Sequence, residues 1–186
     1  MIIRLAECRS APWKNGLGRT REIAVHPSGA GSEHFLWRVS IAEVDSAAPF
    51  SRFPGIDRQI VLLEGSGFTM TLDDGRTHAL TTPFAPFTFA GEAKVDVALA
   101  GGPTRDFNLM VRRTHLRGAV QVWHGPATRV IDRATLLVFC ARGGIDTVDG
   151  CLDAGDAWRP ALPTGDAITL HDDGIALAVR IEPRTA

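Results

Sequence analysis

Cysteine is scarce in this chain. Cys8, Cys140 and Cys151 are an odd number without C-x-x-C spacing, and read as buried, reduced thiols, with a Cys140–Cys151 bridge as the one alternative. Long apolar runs are missing too: none approaches the roughly 20 residues that span a bilayer. Glu7 stands where a signal peptide would continue its apolar core. A cytoplasmic chain without membrane contact is the expectation. Neither charge is in excess, since 20 Lys and Arg face 21 Asp and Glu for a formal net charge of −1. The basic residues are spread along the chain, which argues against a nucleic-acid partner held electrostatically.

Catalytic signatures are absent as well. No G-x-S-x-G or cysteine-nucleophile context occurs, and no glycine-rich stretch carries the phosphate-loop Lys. Gly16-Leu17-Gly18 precedes no clear helix, so it is not a dinucleotide fingerprint.

Short apolar runs punctuated by Gly, Pro and Asp fill the remainder. Phe35, Trp37, Val39 and Ile41 alternate with polar residues on one strand face. Ile60–Leu63 ends at a glycine turn, and Phe68–Leu72 runs into the hairpin signal Asp73-Asp74-Gly75. Further strands are expected at Phe87–Phe89, Val95–Leu99, Phe107–Val111, Ala119–Trp123, Leu136–Phe139, Ala167–Leu170 and Ile175–Ile181. No window supports a long capped helix; Asp132–Thr135 is at most a helical turn. The reading is all-β, with few or no helices. Leu62–Gly67 followed by Asp74-Gly75 is echoed by Leu137–Gly144 followed by Asp149-Gly150. Each copy leads to a proline-bearing loop, and Leu152–Ala157 is a phrase common in cupin barrels. Two fused cupin-like β-barrels are expected, divided near Arg113–Gly118 into residues 1–115 and 116–186.

The candidate chemistry lies mostly in the first half. Trp13, Lys14 and Asn15 sit beside the permissive Gly16 and Gly18 and offer an aromatic wall, a cation and an amide. Trp13 as a structural plug is the alternative. If Trp37 packs outside, Arg38 and Ser40 point into the barrel. A buried arginine needs a partner: an internal acid such as Glu22, Asp57 or Asp106, or a ligand carboxylate. Asp106, Asn108 and Met110 share the second inward strand face, with turn capping and strand stitching as the alternative roles. Phe50–Gly55 reads as a loop over one barrel mouth. A cupin metal centre would need two imidazoles at H-x-H spacing on one strand face. His26, His34, His78, His115, His124 and His171 contain no such pair. Where it would stand lies Pro54–Gln59, in which Arg58 is a fixed cation. No metal or other cofactor is expected.

Pro12-Trp13-Lys14-Asn15-Gly16 with Gly18, Thr20 and Glu22, then Trp37-Arg38 with Ser40-Ile41-Ala42, together resemble the HutD/Ves family of bicupins. Phe50-Ser51, Phe53-Pro54-Gly55, Asp57-Arg58, Gly65, Asp106-Phe107-Asn108, Met110 and Arg112 extend the likeness over about the first 113 residues. Leu17 stands where the family typically shows a third glycine. The resemblance implies a metal-free double cupin in a cytoplasmic bacterial protein, associated with histidine utilisation or, in the Ves branch, with environmental stress. It implies a regulatory role through a small anionic metabolite such as formylglutamate or formiminoglutamate. Lys14, Arg38 and Arg58 would meet its carboxylates. Asn15, Ser40 and Asn108 would hydrogen-bond the rest, with Trp13 and Thr20 completing the candidate site. A metal-independent isomerase or hydrolase using Glu22, Asp57 or Asp106 as an acid–base group is the alternative. A homodimer is the other partner considered.

Overall fold

The computed structural model describes residues 1–13, 15–31, 34–161 and 165–184, and within them the chain is strands joined by turns. The strands are β1 (Ile2–Ile3), β2 (Ser10–Pro12), β3 (Gly18–His26), β4 (Trp37–Val44), β5 (Ile56–Glu64) and β6 (Phe68–Leu72). There follow β7 (Thr77–Leu80), β8 (Phe87–Ala90), β9 (Val95–Leu99), β10 (Thr104–Arg112), β11 (Leu116–His124) and β12 (Ala127–Val130). Last come β13 (Thr135–Arg142), β14 (Gly144–Thr147), β15 (Gly150–Asp153), β16 (Ala157–Trp158), β17 (Ala167–Leu170) and β18 (Ile175–Pro183). The one helical element among the described residues is a 3-10 turn at Leu5–Glu7. The expected turn at Asp132–Thr135 is not helical: the Asp132 carboxylate instead accepts from the Ala134 and Thr135 amides. No helix is long and apolar enough to cross a membrane.

Two compact units divide the chain. The first is Arg9–Arg117 with the C-terminal Arg184, and the second is Met1–Cys8 with Gly118–Pro183. They differ from the expected 1–115 and 116–186 in the opening residues. Ile2 and Ile3 pair as a strand with Trp158 and Ala157, and Arg4 donates to Asp156 at 2.5 Å, so Met1–Cys8 belong with the second unit.

In the first unit, one sheet has the order β2-β3-β4-β10-β5-β8 and the other β7-β6-β9. They meet over Ile60, Leu62, Phe68, Met70, Leu80 and Val95, all buried. The second unit repeats this with β1-β16-β13-β18-β11 and β12-β17-β14-β15, packed over Val138, Cys140, Ile145, Leu152, Trp158 and Leu170. The sheets keep open edges, so each unit is a cupin-like sandwich of two layers.

The repeat legible in the sequence extends to register. In β5–β10, Glu64 faces Arg105 and Leu62 faces Asp106, skipping Leu63. In β13–β18, Arg142 faces Ile175 and Cys140 faces Ala176, skipping Ala141. Both bulges immediately precede a glycine at positive φ, Gly65 and Gly143, where the chain crosses to the other sheet. A Cβ on Gly65 would come within 2.4 Å of the Pro103 carbonyl, so close approach as well as φ demands glycine there.

The expectation of unbridged thiols holds for all three cysteines, and that of burial only for Cys140. All three thiols are free, Cys140 is buried, Cys8 is half-buried and Cys151 is exposed on β15. Phe35 departs from the expected alternation too. It precedes β4 and packs with Ile56 and Met110, while its carbonyl accepts from Arg112 Nε at 3.1 Å.

Candidate functional site

The inner face of the six-stranded sheet carries a cavity of about 830 Å³ in the first unit. Strand register builds its floor. Across β4, β10 and β5, Arg38, Met110 and Arg58 form one row, and Ser40, Asn108 and Ile60 the next. Ala42 and Asp106 stand one row further on, with Thr20 of β3 opposite Ala42. Because strand side chains alternate, Phe107, Leu109 and Val111 are turned to the other face and are buried there. Two loops form the walls: residues 49–54, and the turn between β2 and β3.

That turn is tightly specified. The Trp13 amide donates to the Gly18 carbonyl at 2.9 Å, and Gly16, at φ 71°, donates back to the Trp13 carbonyl. Trp13 Nε1 donates to Thr20 Oγ1 at 2.8 Å, which fixes the indole. A Cβ on Gly18 would meet the Glu43 carbonyl at 2.5 Å and the indole at 3.0 Å, so glycine there lets the ring approach the strand closely. Leu17 needs no special backbone. It takes no positive φ, and its carbonyl accepts from the Asp45 and Ser46 amides.

Arg58 dominates the electrostatics. It is 7% exposed, and no carboxylate pairs with it among the described residues. Its Nη2 donates to Asn108 Oδ1 at 2.9 Å and its Nη1 to the Ser51 carbonyl at 3.4 Å. The rings of Phe89, Phe50 and Phe53 lie 4.9, 5.1 and 5.6 Å from the guanidinium carbon, an aromatic cage that offsets only part of the lost hydration. Burial, reinforced by the charge of Arg38, lowers its pKa to about 10, so it stays cationic at neutral pH. Arg38 differs: its Nε donates to Glu22 Oε2 at 3.0 Å, which selects Glu22 from the three acids considered for it. Asp57 is engaged elsewhere, accepting from Arg113 Nε at 2.7 Å.

Asp106 is fully buried, and neither carboxylate oxygen has a hydrogen bond of normal geometry. Desolvation raises its pKa to about 7, with a smaller opposing effect from the Thr104 hydroxyl. Four arginines line the cavity, Arg38, Arg52, Arg58 and Arg112, against Asp106 as the one acid among its described lining residues. A chain of net charge −1 thus concentrates cations in one chamber.

The cavity gathers Trp13, Asn15, Thr20, Arg38, Ser40, Arg58 and Asn108 from the sequence-expected set. Lys14 lies outside the described residues. Phe89 and Arg52 were missed. Phe89 meets Arg58 only through the long-range β5–β8 pairing, which no local pattern announces.

The HutD family model matches residues 5–185. The chain belongs to the HutD family. An uncharacterized 21.2 kDa protein from the hutC 3′ region of Pseudomonas putida is 37% identical over 145 residues, 78% of this chain and 75% of that protein. Protein Ves of Citrobacter koseri is 38% identical over 163 residues, 87% of this chain and 74% of the relative. The solved structure of HutD from Pseudomonas fluorescens SBW25, described as a formate condition, is 30% identical with a TM-score of 0.85. The match covers 100% of this chain and 99% of that one. A cupin 2 barrel protein from Leptotrichia buccalis shares the fold at a TM-score of 0.61 and 9% identity, covering 98% of this chain and 96% of that one. The HutD family is associated with histidine utilisation.

Proposed function

We propose that this HutD-family protein is a cytoplasmic sensor that binds a small anionic metabolite in the Arg58 cavity, without turnover. The ligand resembles formylglutamate or formiminoglutamate, and binding serves regulation of histidine utilisation or a stress response. The observation that carries this reading is the buried, acid-free guanidinium of Arg58. An unpaired interior cation is costly, and a bound carboxylate would remove that cost through a charge-assisted fork. Arg38 uses Nε on Glu22, so its terminal nitrogens have no protein partner among the described residues and supply a second anion contact. Trp13, Phe50 and Phe53 exclude water, while Ser40 and Asn108 suit a formyl or formimino group.

Calorimetry with formylglutamate, formiminoglutamate, glutamate and formate tests this. The first two should bind, and Arg58→Met should weaken them by at least about thirtyfold, the smaller end of the cost of removing one partner of a buried charge pair. The ligand-free variant should retain the wild-type circular dichroism spectrum. Absence of binding at millimolar ligand, or affinity unchanged by both Arg58→Met and Arg38→Ala, would overturn the proposal.

One observation favours an enzyme instead. Asp106, near pKa 7 on the cavity floor, has the proton affinity of an acid–base group working at neutral pH. Burial dominates here, and no arginine pairs with Asp106 among the described residues. Conversion of any of these metabolites, detected by mass spectrometry and lost in Asp106→Asn, would establish turnover.

A further inference from the structure

The second unit carries a different cluster on the outer surface of its four-stranded sheet. Alternation along the strands sets it up: Ile145, Leu152 and Leu170 are buried in the core, so Asp146, Cys151 and His171 face outward. Register then brings them together. Asp146 of β14 stands opposite Cys151 of the edge strand β15 and opposite Thr169 of β17, and His171 follows on the same face two residues on. An imidazole nitrogen, a thiol sulfur and a carboxylate oxygen, all within 4.8 Å of one another, result from two adjacent strands and the residue that follows a third.

We propose that Asp146, Cys151 and His171 bind a divalent transition metal of the zinc type, with solvent completing the coordination. The mixed N, S and O donor set suits zinc better than the hard cations calcium and magnesium, which take oxygen ligands. The donors already converge: His171 Nε2 lies 3.0 Å from Asp146 Oδ2, and the Cys151 sulfur, which donates to the Leu152 carbonyl, lies within 4.8 Å of both. Tetrahedral zinc holds its ligand atoms about 3.5 Å apart, so side-chain adjustments of about 1 Å complete the site. The Cys151 proton passes to solvent as the thiolate coordinates.

The backbone supports the imidazole independently of these hydrogen bonds. The His171 amide donates to the Gly144 carbonyl at 3.0 Å, and the His171 carbonyl accepts from Gly174 at 2.9 Å. A Cβ on Gly144 would strike His171 Nδ1 at 2.6 Å, although Gly144 lies outside the left-handed region that requires glycine. Glycine at 144 is therefore explained by seating the imidazole rather than by backbone conformation. No local pattern announces the cluster, because its residues lie on β14, on β15 and just past the end of β17 and lack any short spacing.

The test uses the full chain after chelator treatment, titrated with Zn2+ against a chromophoric competitor and with Co2+ in the spectrophotometer. The expected result is stoichiometric binding of both ions, with a thiolate-to-cobalt charge-transfer band. Cys151→Ser should abolish the band, and it and His171→Asn should each weaken Zn2+ by at least about a hundredfold. Gly144→Ala, which displaces a ligand without removing one, should weaken it about ten- to a hundredfold. Cys8→Ser should leave binding intact. All substituted ligands are exposed, and unchanged circular dichroism verifies the fold. Failure to bind either ion stoichiometrically, a band that survives Cys151→Ser, or one lost in Cys8→Ser would overturn the proposal.

Discussion

In the second unit the residues equivalent by register to Asp106 and Asn108 are Ala176 and Ala178, facing Cys140 and Val138. In the first unit Asp106 and Asn108 face Leu62 and Ile60. Trp158, in register with Val138, is fully buried in the core cluster that holds Cys140, Leu152 and Ala176. Above Asp106 and Asn108 there is instead the cavity of about 830 Å³. One strand plan, with the same bulge and glycine crossing, therefore yields a filled sandwich and a hollow one. The choice is made by a few inward residues. Small apolar ones admit an indole, whereas a carboxyl, an amide and a guanidinium hold a chamber open because they cannot be covered by hydrocarbon without cost. A hollow interior forgoes the dispersion contacts that a filled one gains, so stability and binding are divided between the units.

The sharpest contrast should come from removing one large ring from each interior. Trp158→Ala should cost about 3–5 kcal/mol, since a fully buried aromatic leaves a cavity that its surroundings cannot close. The Trp158 Nε1 bond to Asp149 at 2.7 Å would be lost with it. Phe50→Ala should cost less than half as much, because Phe50 is only half-buried and borders space that is already open. Denaturant unfolding of the two variants makes the comparison. Equal losses would break the distinction between a filled and a hollow unit.

A pH series separates the units next. The folded-state pKa of Asp106 is raised to about 7 from an ordinary value of 3.8. Between those values the folded chain keeps a proton that the unfolded chain has released. Stability should therefore fall as pH rises through that window and level off above about 7. Asp106→Asn replaces the acid with a neutral amide of the same shape. It should match the wild type near pH 4 and exceed it by a few kcal/mol at pH 8. Ala176 offers nothing to titrate at the equivalent place. Parallel stability curves for wild type and Asp106→Asn would show that the buried carboxyl does not control the hollow unit.

Alternation made much of this readable from sequence. Trp37 against Arg38 and Phe107 against Asn108 assigned inward and outward faces on β4 and β10, and Phe68–Leu72, Val95–Leu99 and Ala167–Leu170 match their strands end to end. The glycine crossings exposed the repeat. Long-range pairing stayed hidden. The charged strand β3, Gly18–His26, lacks apolar periodicity and was missed, although it carries Thr20 to the cavity and Glu22 to Arg38. Phe89 reaches Arg58 only through β8, and Ile2-Ile3 find Trp158 across more than 150 residues. The raised pKa of Asp106 stayed hidden as well, because desolvation is a property of the packed interior alone.

The smallest effect tests the rim of the hollow unit, where Trp13 is either a wall for the ligand or a plug for the sandwich. Thr20→Val keeps the shape of the side chain and removes the acceptor of the indole N–H, a bond of 2.8 Å. Trp13 is only half-buried, so water can replace that acceptor, and the stability loss should be about 1 kcal/mol or less. The indole would keep its contact with Gly18 but lose what sets its rotation over the cavity mouth. If the ring is a ligand wall, calorimetry should show affinity for formylglutamate falling by about 1 kcal/mol, roughly fivefold, while the unfolding midpoint scarcely moves. If the ring only closes the sandwich, the midpoint should drop and the affinity should hold. In that case the hollow unit would have a structural rim like its filled counterpart, and the division of labour between the two would be confined to the floor around Arg58, Asp106 and Asn108.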